Sequence, residues 1–300
     1  MRLFLLFLSM SHNHNHNNSI KNIRVAFMLN VLFTLVEIIG GILTNSVAIM
    51  SDAVHDLGDS LSLGLAWYFQ NLSKKGRDHN YSYGYKRFSL LGALINGVIL
   101  LLGSGFILFK AVPRLINPEV ADAQGMIYIA VFGIIVNGAA AFKLMTGKTL
   151  NERVVYLHLL EDVLGWIAVL IGAVVMYFFD IPIIDPILSV LISLYMLFNV
   201  IKNLRKTLKV LLQAVPIDVD MQKIEAYLKN HELIEDYHDL HVWSMDGTYN
   251  ILTVHIVLVD DISTAINPKN EIKRGLVKLG IEHPTIEIHE KGDEDCDLED

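Results

Sequence analysis

Cysteine is nearly missing from this chain: Cys296 is the single one in 300 residues. One thiol can build neither an internal disulfide framework nor a multi-cysteine metal cage, and Cys296 reads as a surface residue of an acidic tail. Positive charge is also in deficit. Lys and Arg number 24 against 32 Asp and Glu, a formal net charge of −8 that argues against a nucleic-acid partner. No His-Glu-x-x-His stretch occurs, so the usual signature of an intramembrane metalloprotease is missing. The short apolar run at the start, MRLFLLFLSM, lacks a small-residue cleavage site and is given no structural role. Translation from Met10 would open the chain on the His/Asn tract Ser11 to His16, and residues 1–20 are expected to be disordered low complexity.

Apolar sequence is what the chain has in abundance. Hydrophobic residues make up 53% and the mean hydropathy is +0.43, too apolar for an ordinary soluble protein of this size. Six runs have membrane length: about 24–44, 47–70, 88–113, 122–147, 154–179 and 183–204. An even number puts both ends on one side of the bilayer. Lys21 and Arg24 precede the first run, Lys74, Lys75, Arg77, Lys86 and Arg87 follow the second, Lys143, Lys148 and Arg153 follow the fourth, and Lys202, Arg205, Lys206 and Lys209 follow the sixth. The other side has Lys110 and Arg114 alone, so the positive-inside rule places both termini in the cytoplasm.

Beyond the sixth run the pattern is that of a small soluble domain. Helices are expected over 218–230 and 268–279, and strands over 237–245, 249–259 and 285–290, with a turn at Asp246-Gly247. Two helices on a three-stranded antiparallel sheet follow as the expected α+β layering. The resulting domains are 1–20, a membrane domain over 21–206, a cytoplasmic domain over 207–292 and an acidic tail over 293–300.

The second run carries Asp52-Ala-Val-His55-Asp56-Leu-Gly-Asp59, and the fifth carries His158-Leu-Leu-Glu161-Asp162. A charged side chain at mid-membrane costs roughly 2.5 to 3.5 kcal/mol on insertion scales, so these residues face a partner, a cavity or an ion. Residues i and i+4 lie a turn apart on one helix face, which points His55 with Asp59 and His158 with Asp162. Two such helices packed together present two imidazoles and two carboxylates, a set suited to a tetrahedral divalent metal, zinc first. One membrane histidine is equally well explained by a polar contact between helices; two copies of the spacing in separate runs are not. Catalytic zinc usually keeps a position for water, whereas this set supplies four ligands, so a transport site is expected. Metal and protons compete for the same ligand atoms, and a site open alternately to each side would exchange outgoing metal for incoming protons.

Asp52 lies on nearly the same face as His55 and is read as orienting a ligand or leading metal inward. Asp56 and Glu161 point partly elsewhere. Glu37, Asn96 and Asn137 read as interhelical hydrogen-bond partners. Gly40, Gly41, Gly97, Gly103, Gly105 and Gly172 read as close-packing positions, and Asp180 and Asp185 as solvated residues at the outer edge. In the soluble domain, alternation puts His255 and His289 on one strand face with His241; His238 has the other parity unless a bulge intervenes.

Taken together, Asn45 to Asp59, Tyr83-Gly-Tyr-Lys-Arg87, His158-x-x-x-Asp162, His238-Asp-Leu-His-Val-Trp243 and Ile281-Glu-His-Pro-Thr-Ile286 resemble the cation diffusion facilitator family, in its bacterial zinc/cadmium exporter branch. The resemblance spans about Lys21 to Glu290. It implies six transmembrane helices, a cytoplasmic ferredoxin-like domain, a homodimer and metal-for-proton antiport. Its transport ligands carry over to His55, Asp59, His158 and Asp162, and a histidine at position 55 is similar to zinc-type members. Positions matching His238, His255 and His289 help bind cytoplasmic metal in relatives. After His289 this chain has Glu290 and then Lys291, where some relatives carry a further acidic ligand, a departure from the family's pattern at the cytoplasmic site. The connection at 146–153 lacks the long His-rich insertion of eukaryotic vesicular zinc transporters, which favours a bacterial inner membrane.

The expectation is therefore a polytopic α-helical membrane protein, not an enzyme, that exports zinc by proton antiport, with cadmium or cobalt as further cargo. No cofactor is expected; zinc is the substrate and a ligand of the cytoplasmic domain. The partners are zinc, protons, the lipid bilayer and a second copy of the chain. The rival is a non-transporting membrane metal sensor with a structural membrane site.

Overall fold

The computed structural model describes residues 16–145, 150–259 and 268–289. Six long helices come first: α1 (His16–Leu43), α2 (Val47–Ser73), α3 (Phe88–Ile116), α4 (Ala123–Leu144), α5 (Leu150–Phe179) and α6 (Ile184–Leu211). They fall on the six apolar runs, and α1 reaches back to His16, so the last residues of the tract expected to be disordered are helical; residues 1–15 lie outside the described residues. Among the described residues, four helices are long and apolar enough to cross a membrane: α3, α4, Val155–Phe179 of α5, and α6. In α1 the apolar part among the described residues is the shorter Asn30–Leu43. In α2 the acidic groups of the site interrupt the apolar face.

Contacts divide the chain into two units: described residues as far as Tyr68 with Gly92–Leu204, and Phe69–Leu91 with described residues from Arg205 onward. In the first unit, Trp166 of α5 is fully buried among Phe33 of α1 and Met126 and Ala130 of α4. Gly133 of α4 lets the indole approach so closely that a Cβ there would lie 2.6 Å from its ring. Helices α2 and α3 interlock through two glycines. A Cβ at Gly58 would meet Leu100 at 2.1 Å, and one at Gly103 would meet Val54 at 2.7 Å. Gly40, Gly41, Gly97 and Gly172 make similar close approaches, whereas Gly105 has no atom within 4 Å of a built Cβ and is not a packing position.

The connections after α1, α3 and α5 are laced together. Asn45, with φ of 52°, turns the chain from α1 into α2; its backbone carbonyl accepts from Arg114 Nη1 at 2.9 Å and its side-chain oxygen from Nη2 at 2.7 Å. Arg114 also pairs with Glu119, and the Asp122 N–H donates to the Thr44 carbonyl at 2.8 Å. Asp185, expected to be solvated, is instead 1% exposed: it accepts from the Val47 N–H at 2.8 Å, the Ala48 N–H at 3.2 Å and the Ser46 hydroxyl at 2.5 Å. A helix leaves its first N–H groups without partners, and here a carboxylate from α6 supplies the acceptor for α2.

The second unit holds α7 (Met221–Lys229), β1 (Ile234–Ser244), β2 (Asn250–Leu258), α8 (Pro268–Lys278) and β3 (His283–His289). Strand order is β1-β2-β3. The β1–β2 pair is antiparallel around the expected turn, where Asp246 Oδ1 accepts from the N–H groups of Thr248 and Tyr249 and Gly247 has φ of 90°. The β2–β3 pair is parallel, which corrects the expected all-antiparallel sheet. The reason is α8: a helix between two neighbouring strands returns the chain to the starting end, so both run the same way. Ile224 and Leu228 of α7 and Ile272 and Leu276 of α8 bury against Leu252, Val254, Ile256 and Ile286 of the sheet.

The same unit includes the segment between α2 and α3. Asp78 accepts a hydrogen bond from the Tyr85 hydroxyl at 2.8 Å and pairs with Lys75 at 3.1 Å, and these two partners hold its carboxyl down at about 2. Lys75 in turn is raised, first by its hydrogen bond with Tyr85 and then by Asp78. The Lys86 ammonium lies 3.5 Å from the centre of the Tyr249 ring, and Tyr83 meets His283 edge to face at 5.9 Å.

Candidate metal centre

Helical spacing does locally what it should: in α2, His55 Nε2 lies 3.6 Å from Asp59 Oδ2, and in α5, His158 Nε2 lies 3.8 Å from Asp162 Oδ2. The packing of the bundle then joins the two pairs. Asp59 Oδ2 is 3.0 Å from His158 Nε2, and the two imidazole centres are 6.0 Å apart at 72°. The ligand atoms of His55, Asp59 and His158 all fall within 4.8 Å of one another. Asp162 reaches this group through His158, its side chain only 3% exposed.

Despite the 3.0 Å approach, Asp59 Oδ2 makes no hydrogen bond of acceptable geometry, and Asp162 Oδ2 is likewise buried without a donor. Buried carboxylate oxygens are ordinarily hydrogen-bonded. Oxygens and imidazole nitrogens that converge without bonding each other have the arrangement a divalent cation needs, with nitrogen and oxygen donors of the kind zinc takes. Asp52 is buried one turn before Asp56 on α2. Glu161, as expected, points away, its carboxylate accepting from Tyr195 of α6. Both Glu37 oxygens, Asn96 Oδ1 and Asn137 Nδ2 are buried without a hydrogen-bond partner among the described residues.

A second cluster lies on the open face of the three-stranded sheet. His255 Nδ1 and His289 Nε2 are 3.0 Å apart with their rings stacked, and His238 stands 5.3 Å and 5.6 Å from the two ring centres. Ligand atoms of all three fall within 4.8 Å of one another, and His238 Nε2 is buried without a partner. Simple alternation gives His238 the wrong parity; a bulge corrects it. His238 pairs with His255 but His241 pairs with Thr253, so β1 spends three residues where β2 spends two. Asp239, with φ of 51°, is the residue in the bulge. Its carboxylate oxygens lie 2.6 Å from His241 Nε2 and 3.5 Å from His255 Nε2, and Glu287 lies 3.6 Å from His255. His241 thus joins Asp239 rather than the cluster. The three imidazoles could hold a zinc ion, with Asp239 and Glu287 beside them to fix ring orientation.

Fold and sites together define a multi-pass membrane protein with a small αβ domain at its C-terminal end and one His-rich cluster in each unit. Residues 23–212 match the cation efflux transmembrane domain, and residues 216–269 match the cation efflux protein cytoplasmic domain. The chain belongs to the cation efflux, or cation diffusion facilitator, family. It is 35% identical over 277 residues to the cadmium, cobalt and zinc/H(+)-K(+) antiporter of Bacillus subtilis, covering 89% of this chain and 88% of that one. The metal cation efflux system protein CzcD of Cupriavidus metallidurans is 34% identical over 275 residues, 89% of this chain and 86% of the relative. The zinc transporter ZitB of Yersinia pseudotuberculosis is 32% identical over 243 residues, 80% and 78% respectively.

Proposed function

We propose that this protein exports zinc from the cytoplasm in exchange for protons, with cadmium and cobalt as further cargo, and that His55, Asp59, His158 and Asp162 are the transport ligands. The observation that carries the reading is the convergence of His55 and Asp59 from α2 with His158 from α5, inside the unit built of the apolar helices. The relatives' names as antiporter, efflux protein and zinc transporter support the cargo and the direction.

The wider architecture belongs to the same proposal. All six long helices span the membrane, which the lacing of the first, third and fifth connections supports: Asn45 with Arg114, Thr44 with Asp122, Ser46 with Asp185. Both termini face the cytoplasm of a bacterial inner membrane, the membrane domain covers 21–206, and the cytoplasmic domain over 207–292 is ferredoxin-like and pairs with a second copy. His238, His255 and His289 hold a cytoplasmic zinc ion, and Asp52 helps lead metal to the transport ligands.

In this mechanism the ligands release protons to take up metal from one side and are reprotonated from the other as metal leaves. The test is zinc uptake into vesicles that contain a zinc-sensitive dye, with and without an imposed pH gradient, comparing wild type with Asp59→Ala. Gradient-driven flux lost in the variant is the expected result. Zinc binding with no flux in wild type under any gradient would favour the rival sensor, for which the three-histidine cluster supplies the sensing site.

A further inference from the structure

Glu161 lies on α5 between two of the proposed transport ligands, three residues after His158 and one before Asp162. At about 100° per residue its side chain leaves the helix about 60° round the axis from His158 and about 100° from Asp162. That places it on the outer side of the ligand face, where it is exposed while Asp162 is buried. There its Oε1 accepts from the hydroxyl of Tyr195 on α6 at 2.5 Å. A carboxylate at the surface of an apolar span has few donors within reach, and the tyrosine hydroxyl gives it one.

The bond joins α5 to α6 at the level of the metal ligands. Helix α5 packs closely along α4, with Trp166 seated against Gly133, whereas α6 reaches it mainly through side chains. Nearer the rim, a Cβ at Gly172 would meet Leu188 of α6 at 2.5 Å. Glu161 takes Tyr195 about 16 Å further along α5. Turning a helix by about 20° about its own axis moves side-chain ends, which lie about 5 to 6 Å from that axis, by about 2 Å. Metal–ligand distances tolerate about 0.2 Å. A turn of that size would therefore take His158 and Asp162 out of register with His55 and Asp59, undoing the 3.0 Å approach of Asp59 to His158.

Resting on the reading of these four side chains as the transport ligands, we propose that the Tyr195–Glu161 hydrogen bond sets the rotation of α5 at the metal, and with it the preference for zinc over cadmium. Glu161 and Tyr195 are positioning residues. Neither supplies a ligand atom, and both act through the angle at which α5 offers His158 and Asp162. With the bond in place the ligand atoms stay close enough for the shorter bonds of zinc. Without it α5 turns more freely and the ligand set widens, so the larger cadmium ion loses less than zinc does.

Full-length protein in vesicles tests this with Tyr195→Phe, which removes the hydroxyl and keeps the ring. The KM for zinc flux is expected to rise about tenfold or more and that for cadmium flux about threefold at most, with maximal rates near wild type. Glu161→Gln, whose amide oxygen still accepts from the tyrosine, is expected to stay near wild type, and Glu161→Ala to match Tyr195→Phe. That contrast of Gln with Ala reads the bond without touching Tyr195. Combining Tyr195→Phe with Glu161→Ala is expected to cost no more than either change alone. The component of the cobalt(II) visible spectrum that Asp59→Ala removes is expected to weaken in Tyr195→Phe and to persist in Glu161→Gln. An unchanged zinc KM in Tyr195→Phe, equal rises for zinc and cadmium, additive losses in the double variant, or a Glu161→Gln variant as impaired as Glu161→Ala would each overturn the proposal. A zinc KM and cobalt spectrum untouched by Asp59→Ala would overturn the ligand reading instead.

Discussion

Asp185 accepts a hydrogen bond from the backbone N–H of Val47, a residue 138 positions away and the first of the helix that carries His55 and Asp59. The acceptor is buried, and it takes the Ala48 N–H and the Ser46 hydroxyl as well. A carboxylate on α6 therefore caps α2.

Removing that cap should be costly. Asp185→Ala leaves buried N–H donors without an acceptor, for which a loss of about 1 to 3 kcal/mol is expected. Asp185→Asn should recover part of it, since an amide oxygen still accepts. Thermal unfolding of the detergent-solubilised protein checks the order wild type, Asn, Ala.

The four proposed transport ligands should be separable from the fold. His55→Ala or Asp162→Ala is expected to abolish zinc flux, with affinity lowered by about tenfold or more. Size-exclusion elution and the unfolding midpoint should stay near wild type. Retained flux in either variant would sink the four-ligand set.

Gly133→Ala should loosen the contact between α4 and the ligand-bearing α5. Its Cβ would lie 2.6 to 2.9 Å from three atoms of a fully buried indole. Overpacking of this kind typically costs about 1 to 3 kcal/mol. Trp166→Phe in the same chain should restore part of the lost midpoint.

The Asp78 carboxyl gives a pH signature. Its folded value, about 2, lies below the ordinary value, so its contribution to stability is complete at neutral pH and disappears as pH falls through about 2. Tyr85→Phe removes the first cause of the depression, and the Asp78 carboxyl carbon should then titrate nearer its ordinary value of about 3.9 in a labelled sample. An unshifted titration would count against the Tyr85 hydrogen bond.

Deleting Asp239 should restore regular alternation along β1 and move His238 off the face that carries His255 and His289. Zinc bound by the cytoplasmic domain should fall, as read by competition with a metallochromic dye. Asp239→Gly, which suits φ of 51°, should retain it.

Local periodicity made much of this legible. The six long helices follow from apolar runs, and the pairings of His55 with Asp59 and of His158 with Asp162 follow from 3.6 residues per turn. What stayed hidden depends on partners distant in sequence or on a single extra residue. Nothing around Asp185 announces that it will cap α2. The parallel β3 was concealed because strand direction is set by how α8 returns the chain, not by the strand's own residues. The place of His238 turned on Asp239, an insertion that alternation alone does not reveal.

The hydrogen bonds around Asn45, Asp122 and Asp185 have a mechanical consequence. They tie the starts or ends of α1, α2, α3, α4 and α6 into one rim, and helices of 22 to 29 residues behave as stiff rods leaving it. Such a bundle pivots at its fastened end, so the same small tilt displaces the helices least near Asp185 and most at the far end.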